Sequence, residues 1–448
     1  MYDDRRNNSL LFQGEVPVGA RGELQLQAGY SRGDYQAESI DQYAPGFRRN
    51  FPATNNFQSL QWRQHFTDDD EWLTTLSHAV SYQGDPGFSD NSLIPGVILN
   101  VEYQAKEERY EADLQYSRRL SDQWRVVTGL GYYDERLWSP YYFNTDATLE
   151  GYVARVFGHG EYRPRDDLVI NAGAMLESSK LSGNGLKWLF LPRLSINFHL
   201  NDHHTVRAVY STGARQPNLY ENQGRAVVRG VNVPLTLYRA YATGIDQGGL
   251  APEINRSYEL GYLWQPSRRT SFDLRLFQEN ITNFIGPFYR KETRFPTVLP
   301  GHLVLDAGND NPITLRGVEA QFDWHHEAGT RLFTNYALLN IDAAGTRFNY
   351  GYEQSAPQHA VNLLVSQDIG NGWQASLTYH YQSGMAWYME VPINAYHQLS
   401  ARLAKTFKLG NAYATAELVG TNLVGSVSNY LPTRAWERGV FIRFTLDY

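Results

Sequence analysis

Val440-Phe-Ile-Arg-Phe-Thr-Leu-Asp-Tyr448 decides the fold. Val440, Ile442, Phe444, Leu446 and Tyr448 fall on one side of this stretch, and Phe441, Arg443, Thr445 and Asp447 on the other. A period of two belongs to an extended strand, whose successive side chains point to opposite faces. One face suits lipid and the other suits water. The same division recurs upstream. Trp373, Ala375, Leu377, Tyr379 and Tyr381 alternate with Gln374, Ser376, Thr378, His380 and Gln382, and Val318, Ala320, Phe322 and Trp324 alternate with Gly317, Glu319, Gln321 and Asp323. Trp124, Val126, Thr128, Leu130 and Tyr132 form another such face. Aromatic rings often stand at the ends of the apolar faces, as an interfacial girdle requires.

The strands are interrupted in two ways. Tight polar turns rich in Asp, Asn, Gly and Pro lie near 66–71, 120–123, 164–167, 201–203, 266–269, 326–329, 369–372 and 409–411. Longer, more varied connections lie near 33–52, 84–103, 137–146, 214–250, 284–310, 345–354, 384–392 and 424–435. Alternation of short and long describes antiparallel hairpins whose two ends differ. A barrel of the bacterial outer membrane has that asymmetry, whereas a soluble propeller or sandwich has no reason to sort loop length by side.

Composition agrees. Aromatic residues make up 14% of 448, yet mean hydropathy is −0.49 and charged residues are 19%. No window holds the roughly 18 unbroken apolar residues of a membrane-spanning helix, and so many rings argue against disorder. The net charge of −7 offers nucleic acid no attraction. The cations are 34 Arg and 6 Lys, a bias toward the planar donor that pairs with carboxylates and oxyanions. With no cysteine there is no disulfide, thiolate metal site or thiol nucleophile.

The alternating segments number about 19. If short turns lie on the periplasmic side, the strand near 21–32 runs outward and the one near 7–16 runs inward, so the chain starts outside. Single-chain bacterial barrels have even strand numbers. An odd number of strands is therefore expected upstream.

Five further stretches and the last residue carry a family resemblance. Thr212-Gly-Ala-Arg-Gln-Pro-Asn-Leu-Tyr-Glu221 and, after a long loop, Leu250-Ala-Pro-Glu-Ile-Asn-Arg-Ser-Tyr-Glu-Leu-Gly261 resemble the paired barrel motifs of TonB-dependent outer-membrane receptors. Leu315-Arg-Gly-Val-Glu-Ala-Gln-Phe-Asp-Trp324 and Ala356-Pro-Gln-His-Ala-Val-Asn-Leu363 are similar to two later strand motifs, Val419-Gly-Thr-Asn-Leu423 to a penultimate-strand element, and Tyr448 to the terminal aromatic recognised during barrel insertion. The motif positions are thus Arg215, Pro217, Glu221, Pro252, Glu253, Glu259, Arg316, Gly317, Glu319, Asn422 and Tyr448. The resemblance covers about residues 205 to 448.

It implies an all-β, transmembrane antiparallel barrel with about 19 of 22 strands in this chain. Residues 1–448 are then a single barrel domain shortened at its N-terminus, without signal peptide or plug. It also implies TonB-energised uptake of a scarce ligand, with TonB acting through the plug, and the barrel-assembly machinery, outer-membrane lipid and lipopolysaccharide as further partners. A ferric siderophore or similar metal chelate is the expected ligand. Haem receptors of the family place a histidine between the two paired motifs, and residues 217–250 hold none. A receptor for cobalamin or a glycan, or a passive porin-like channel, is the alternative.

Ligand contacts are expected in the long loops, where function sits on a rigid scaffold. Tyr220, Arg225, Arg229, Tyr238, Arg239 and Tyr241, with Tyr289 and Arg290 in the next loop, combine cations with rings suited to an anionic, partly aromatic chelate. The same residues also suit an interfacial girdle and lumenal ion pairs. No enzymatic site, metal site or cofactor is expected. Gly29-Tyr-Ser-Arg-Gly33 lacks the strand-turn-helix setting of a nucleophile elbow. His203-His204 and His325-His326 lack metalloprotease spacing, and Thr67-Asp-Asp-Asp-Glu71 lacks the glycine of a calcium loop.

Overall fold

Asn371-Gly372 shows how this chain turns. Both residues have positive φ, 51° and 78°, and they join Gly370 to Trp373, which lie opposite one another. That is the geometry of a two-residue type I′ hairpin, whose twist matches the strands it connects.

A computed structural model describes residues 5–38, 48–85, 88–90, 99–181, 188–224, 227–230, 236–242, 249–291, 303–343, 351–387, 391–410, 412–424, 427–428, 435–436 and 438–447. Nineteen strands form one sheet. They are β1 (Arg5–Val18), β2 (Gly22–Glu38), β3 (Arg48–His65), β4 (Asp70–Gln83), β5 (Ala105–Arg119), β6 (Trp124–Trp138), β7 (Leu149–Arg165), β8 (Leu168–Ser179), β9 (Leu189–Asn201) and β10 (His204–Arg215). After a long connection follow β11 (Glu253–Ser267), β12 (Thr270–Thr282), β13 (Ile313–His325), β14 (Thr330–Asp342), β15 (His359–Gly370), β16 (Trp373–Gln382), β17 (Tyr396–Leu409), β18 (Ala412–Thr421) and β19 (Gly439–Asp447). Every ladder of this sheet is antiparallel and joins strands adjacent in the chain, so it is an up-and-down barrel wall. Short and long connections alternate throughout. The structure adds a long connection at 180–188, which is missing from the connections read above although Ser182-Gly-Asn-Gly185 carries turn chemistry. The terminal Tyr448 lies outside the described residues.

The pleat sorts side chains as the alternation predicts. In register across the wall, Leu403, Leu418 and Ile442 share the outer face, and Glu417 and Arg443 share the inner one. On the outer face, Trp62, Trp72, Trp124, Tyr162, Trp264, Trp324 and Trp373 stand beside short turns, and Trp124 stacks on Tyr162 at 4.3 Å. Toward the long loops the outer rings are tyrosines, among them Tyr30, Tyr110, Tyr132, Tyr152, Tyr210 and Tyr258. Two aromatic belts bounding an apolar band are what a bilayer selects.

Among the described residues no ladder joins β1 to β19. Both strands are bare on both faces, with Leu10 73%, Leu11 59%, Phe441 42% and Ile442 66% exposed. The long connections fold up in their own right. Phe284–Lys291, Leu303–Asp310, Thr236–Ala242, Val227–Gly230, Leu99–Val101 and Phe88–Asp90 pair in that order as a second, six-stranded sheet.

Candidate functional site

The paired motifs meet where β10 and β11 end. Arg215 and Glu253 are directly opposed in the ladder. The Arg215 guanidinium donates from Nε to Glu253 Oε2 at 2.6 Å and from Nη2 to Oε1 at 2.9 Å, while Nη1 donates to both oxygens of Glu221 at 2.9 and 3.0 Å. Two bidentate forks on one guanidinium are possible only because its five donors lie in a plane. The Glu253 hydrogen bond, first among the causes, raises the guanidinium's already high pKa. Glu253 reaches further, since its Oε1 also accepts from Ile285 N at 2.7 Å and so fixes the start of the next long connection.

Glu221 belongs to a capping box. Asn218 Oδ1 accepts from Glu221 N at 2.7 Å, and Glu221 Oε2 accepts from Asn218 N at 2.9 Å, at the start of α2 (Leu219–Gln223). A second short helix, α1 (Pro140–Phe143), carries proline in its first turn and Ser139 as its cap. The two helices lean together. Phe143, Val153, Leu181 and Leu219 form a buried cluster against which Tyr133, Leu137, Leu149 and Tyr220 pack. Val153 and Tyr133 are in-register residues of β7 and β6 on the face opposite Tyr132 and Ala154, so the cluster lies inside the mouth of the wall. Pro217 is fully buried beside it. Asn222 ties it to two loops, donating to Leu181 O at 2.6 Å and accepting from Leu250 N at 3.2 Å. Asn309 does likewise for Ala251 and Asn283, with bonds of 2.7 to 2.8 Å, and Asn283 Nδ2 donates to Pro252 O at 3.2 Å.

The other motif residues divide between the two faces. Glu259 and Glu319 flank Arg275 on the inner face, with bonds of 2.8 to 3.0 Å. Arg207 forks onto Asp273 at 3.0 and 3.1 Å beside them. Gly317 is needed for close approach: a Cβ there would come within 2.4 Å of the Phe277 ring and 2.6 Å of Leu338 O. Arg316 is on the outer face with Gln278. Asn422, 2% exposed with φ 53°, turns the chain out of β18.

The loop residues are placed as follows. Tyr220 is edge-on to Tyr142 at 5.2 Å and Phe143 at 6.5 Å, as part of the cluster. Arg225 lies outside the described residues. Arg229, Tyr238, Arg239, Tyr241, Tyr289 and Arg290 fall on backbone of the second sheet. Arg239 and Arg290 are both in register with Val304, from either side. They therefore sit two strand spacings apart, about 9.6 Å.

Sequence reasoning missed the loop-tying asparagines Asn222 and Asn309 and the helix α1. Pro140 after Ser139 and the Asn218-x-x-Glu221 box were the signals that could have located both helices. The histidine pairs are occupied locally: His203 Nδ1 is 3.1 Å from Gln265 O, and His204 Nδ1 is 2.7 Å from the Tyr262 hydroxyl. Gly29 to Gly33 run mid-strand in β2. Among the described residues no group of three or more metal-binding side chains gathers.

A family profile described as TonB dependent receptor-like, beta-barrel matches residues 2–429. The chain belongs to the TonB-dependent receptor family. Solved structures similar to this receptor barrel include a ferric enterobactin receptor of Pseudomonas aeruginosa, 14% identical over 94% of this chain and 64% of that one, with a TM-score of 0.72. The siderophore receptor PirA of Pseudomonas aeruginosa is 16% identical, over 99% and 70% of the two chains, with a TM-score of 0.72. The iron transporter FrpB of Neisseria meningitidis is 11% identical, over 98% and 71%, again with a TM-score of 0.72. The receptor barrel thus spans about two thirds of the length of these neighbours, and at such identities they show its fold. No curated protein matches it in sequence. The family is one of transport receptors of the outer membrane.

Proposed function

We propose that the chain is the barrel portion of a bacterial outer-membrane receptor that takes up a ferric siderophore or similar metal chelate with energy supplied through TonB, and that its work is transport, not catalysis. The observation that supports this reading most is the register of the second sheet. Arg239 and Arg290, from two different loops, stand in backbone register on either side of Val304. Cations brought to neighbouring positions from two loops suit an anionic chelate, through charge-assisted hydrogen bonds. The neighbours' names, which refer to a siderophore, to ferric enterobactin and to iron, agree with this choice.

The same proposal includes a plug and about three strands ahead of residue 1. The outer edges of β1 and β19, unpaired among the described residues, support it, because lipid tolerates no open sheet edge. The in-frame sequence upstream tests this part. A stop codon there would overturn it.

The uptake reading is tested in cells. A strain lacking the receptor should lose growth on one ferric siderophore as sole iron source, in the manner of a strain lacking TonB, and transcription should rise under iron limitation. Unchanged growth on every ferric siderophore tried, with transcription indifferent to iron, would remove the reading in favour of cobalamin, a glycan or a passive channel. Arg239→Ala/Arg290→Ala should weaken binding of the accepted chelate by about 30-fold or more, on roughly 1–3 kcal/mol for each charge-assisted contact.

A further inference from the structure

The inner face of β2, β3 and β4 carries a column without charge, on the side opposite the outward row Leu26, Leu60 and Leu76. Five consecutive rows, from Gln25, Gln61 and Thr75 near the short turns to Gly33, Ala53 and Gln83 near the long loops, hold only amides, hydroxyls, glycine, alanine and one phenylalanine. Four steps of two residues at about 3.3 Å each make the column about 26 Å long, which matches the height of an apolar band. Charge returns directly below it, in the row of Glu23 and Arg63, and directly above it Tyr35 stacks on Phe51 at 5.8 Å.

Two features set this column apart from other sectors of the inner face. The first is that its hydrogen-bonding groups are unengaged. Among the described residues the side chains of Gln27, Ser31, Asn55, Ser59, Ser77 and Ser81 have no partner, and the bond from Gln61 Nε2 to Thr75 Oγ1 is long at 3.4 Å. On β10 to β13 the lining is instead ion-paired, as in Arg207 with Asp273 and Arg275 with Glu259. On β14 to β16 a neutral row is bonded to itself: Asn362 Nδ2 donates to Asn335 Oδ1 at 2.8 Å, and Asn362 Oδ1 lies 2.7 Å from His380 Nδ1. Arg331 enters that sector two rows below. The second feature is that the column is shallow. Its one ring, Phe57, lies over Gly29, where a Cβ would come within 2.2 Å of it.

We propose that this column is the wall along which the transported ligand passes inward, offering amide and hydroxyl groups to the uncharged surface of the ligand as it moves. Passage needs contacts that are favourable enough to enter and weak enough to leave, and a neutral hydrogen bond holds less tightly than one to an ion. An ionic lining would trap or repel the charged groups of a metal chelate, whereas a plug that stays in place is well held by charge-assisted bonds in the other sectors. The inference rests on the uptake reading above and deepens it by placing the path.

The test uses the full-length receptor in cells whose own copy is deleted. The probes are radioiron enterobactin, radioiron ferrichrome and labelled cyanocobalamin. Binding is read in cells lacking TonB, and uptake in cells that have it, normalised to saturable binding. Gln27→Glu and Gln27→Lys, one of each sign in the second row of the column, should each slow uptake of the accumulated probe about tenfold, the difference between a neutral and a charge-assisted contact, while binding changes by less than about threefold. Gln61→Glu and Gln61→Lys, one row below, should do the same. Gln27→Ser, still neutral, should keep at least about a third of the unaltered rate. Gln115→Glu and Gln115→Lys, on the inner face of β5 beside the Asp113–Arg155 pair, should change uptake by less than about threefold. Undiminished uptake by the charged variants overturns the proposal. Loss with one sign only also overturns it, by assigning plain attraction or repulsion of a charged probe. Sensitivity of these variants to vancomycin, which is too large for porins, overturns it by giving the column to the plug. Accumulation of none of the three probes by the unaltered receptor would instead remove the uptake reading itself, and the path with it.

Discussion

Replacing Arg215 by glutamine should loosen the mouth of the receptor without unfolding its wall. The substitution strips both forks at once, leaving Glu253, with 11% of its side chain exposed, and Glu221, with 21%, facing each other without a cation. Breaking a fully buried pair costs about 3–5 kcal/mol, and an exposed one less than about 1 kcal/mol. Arg215 itself is 45% exposed, so an intermediate figure of about 2 kcal/mol is appropriate. That corresponds to roughly a 30-fold rise in local opening. The groups released are specific: Glu221 and Asn218 lose the support of their capping box, and Ile285 N loses an oriented acceptor. Hydrogen exchange read residue by residue should show the amides of Asn218, Glu221 and Ile285 exchanging about 30-fold faster, because exchange reports local opening free energy. The amides of Leu260 and Leu276, in the middle of β11 and β12, should not change. Adding Glu253→Gln should restore part of the protection at Ile285, since the neutral hydrogen-bonded pair leaves only Glu221, the more exposed carboxylate, without a cation. Exchange at Ile285 unchanged within about threefold, or a uniform rise across the sheet, would refute the clamp.

Further predictions follow from the two faces of the wall. Leu274→Arg, in the apolar band between Tyr262 and Ala320, should cost about 2–4 kcal/mol in membrane-inserted stability, while Gln321→Arg on the inner face should cost under about 1 kcal/mol. Urea titration of the inserted barrel compares them, and equal losses would remove the assignment of faces. Gly317→Val should lower the thermal midpoint by an amount equivalent to about 1–3 kcal/mol, because the Phe277 ring and Leu338 O occupy the space its side chain needs. Phe277→Ala in the same chain should recover part of the loss. Arg275→Lys should be nearly as damaging as Arg275→Ala to thermal stability, by about 1–2 kcal/mol, since a lysine cannot bridge Glu259 and Glu319 with parallel donors. A lysine variant with unaltered melting would show that charge alone suffices there.

Much of the wall could be read from local pattern. The period of two in Val440 to Tyr448 and its counterparts assigns each residue a face, and turns such as Asn371-Gly372 carry their geometry in two residue types. Both signals act over a few bonds, so they survive in a single sequence. The connection at 180–188 was legible too, in Ser182-Gly-Asn-Gly185, a local turn signal that the loops read from the sequence leave out. At the candidate site, the motif glutamates and Arg215 were legible as positions. Their joining was not, because Arg215 and Glu253 meet across 38 residues.

Strand identity, the lipid-facing and water-facing sides, the alternation of short and long ends and the expected strand number are properties of the sequence by itself, each being a one-dimensional period. Which loops meet is a property of the tertiary structure alone. Arg239 and Arg290 come into register with Val304 only when strands from two loops pair, and Tyr220 enters the mouth cluster only when α1 and α2 lean together. Those contacts depend on the register of distant ladders. One residue of slip in a strand would send each side chain to the opposite face.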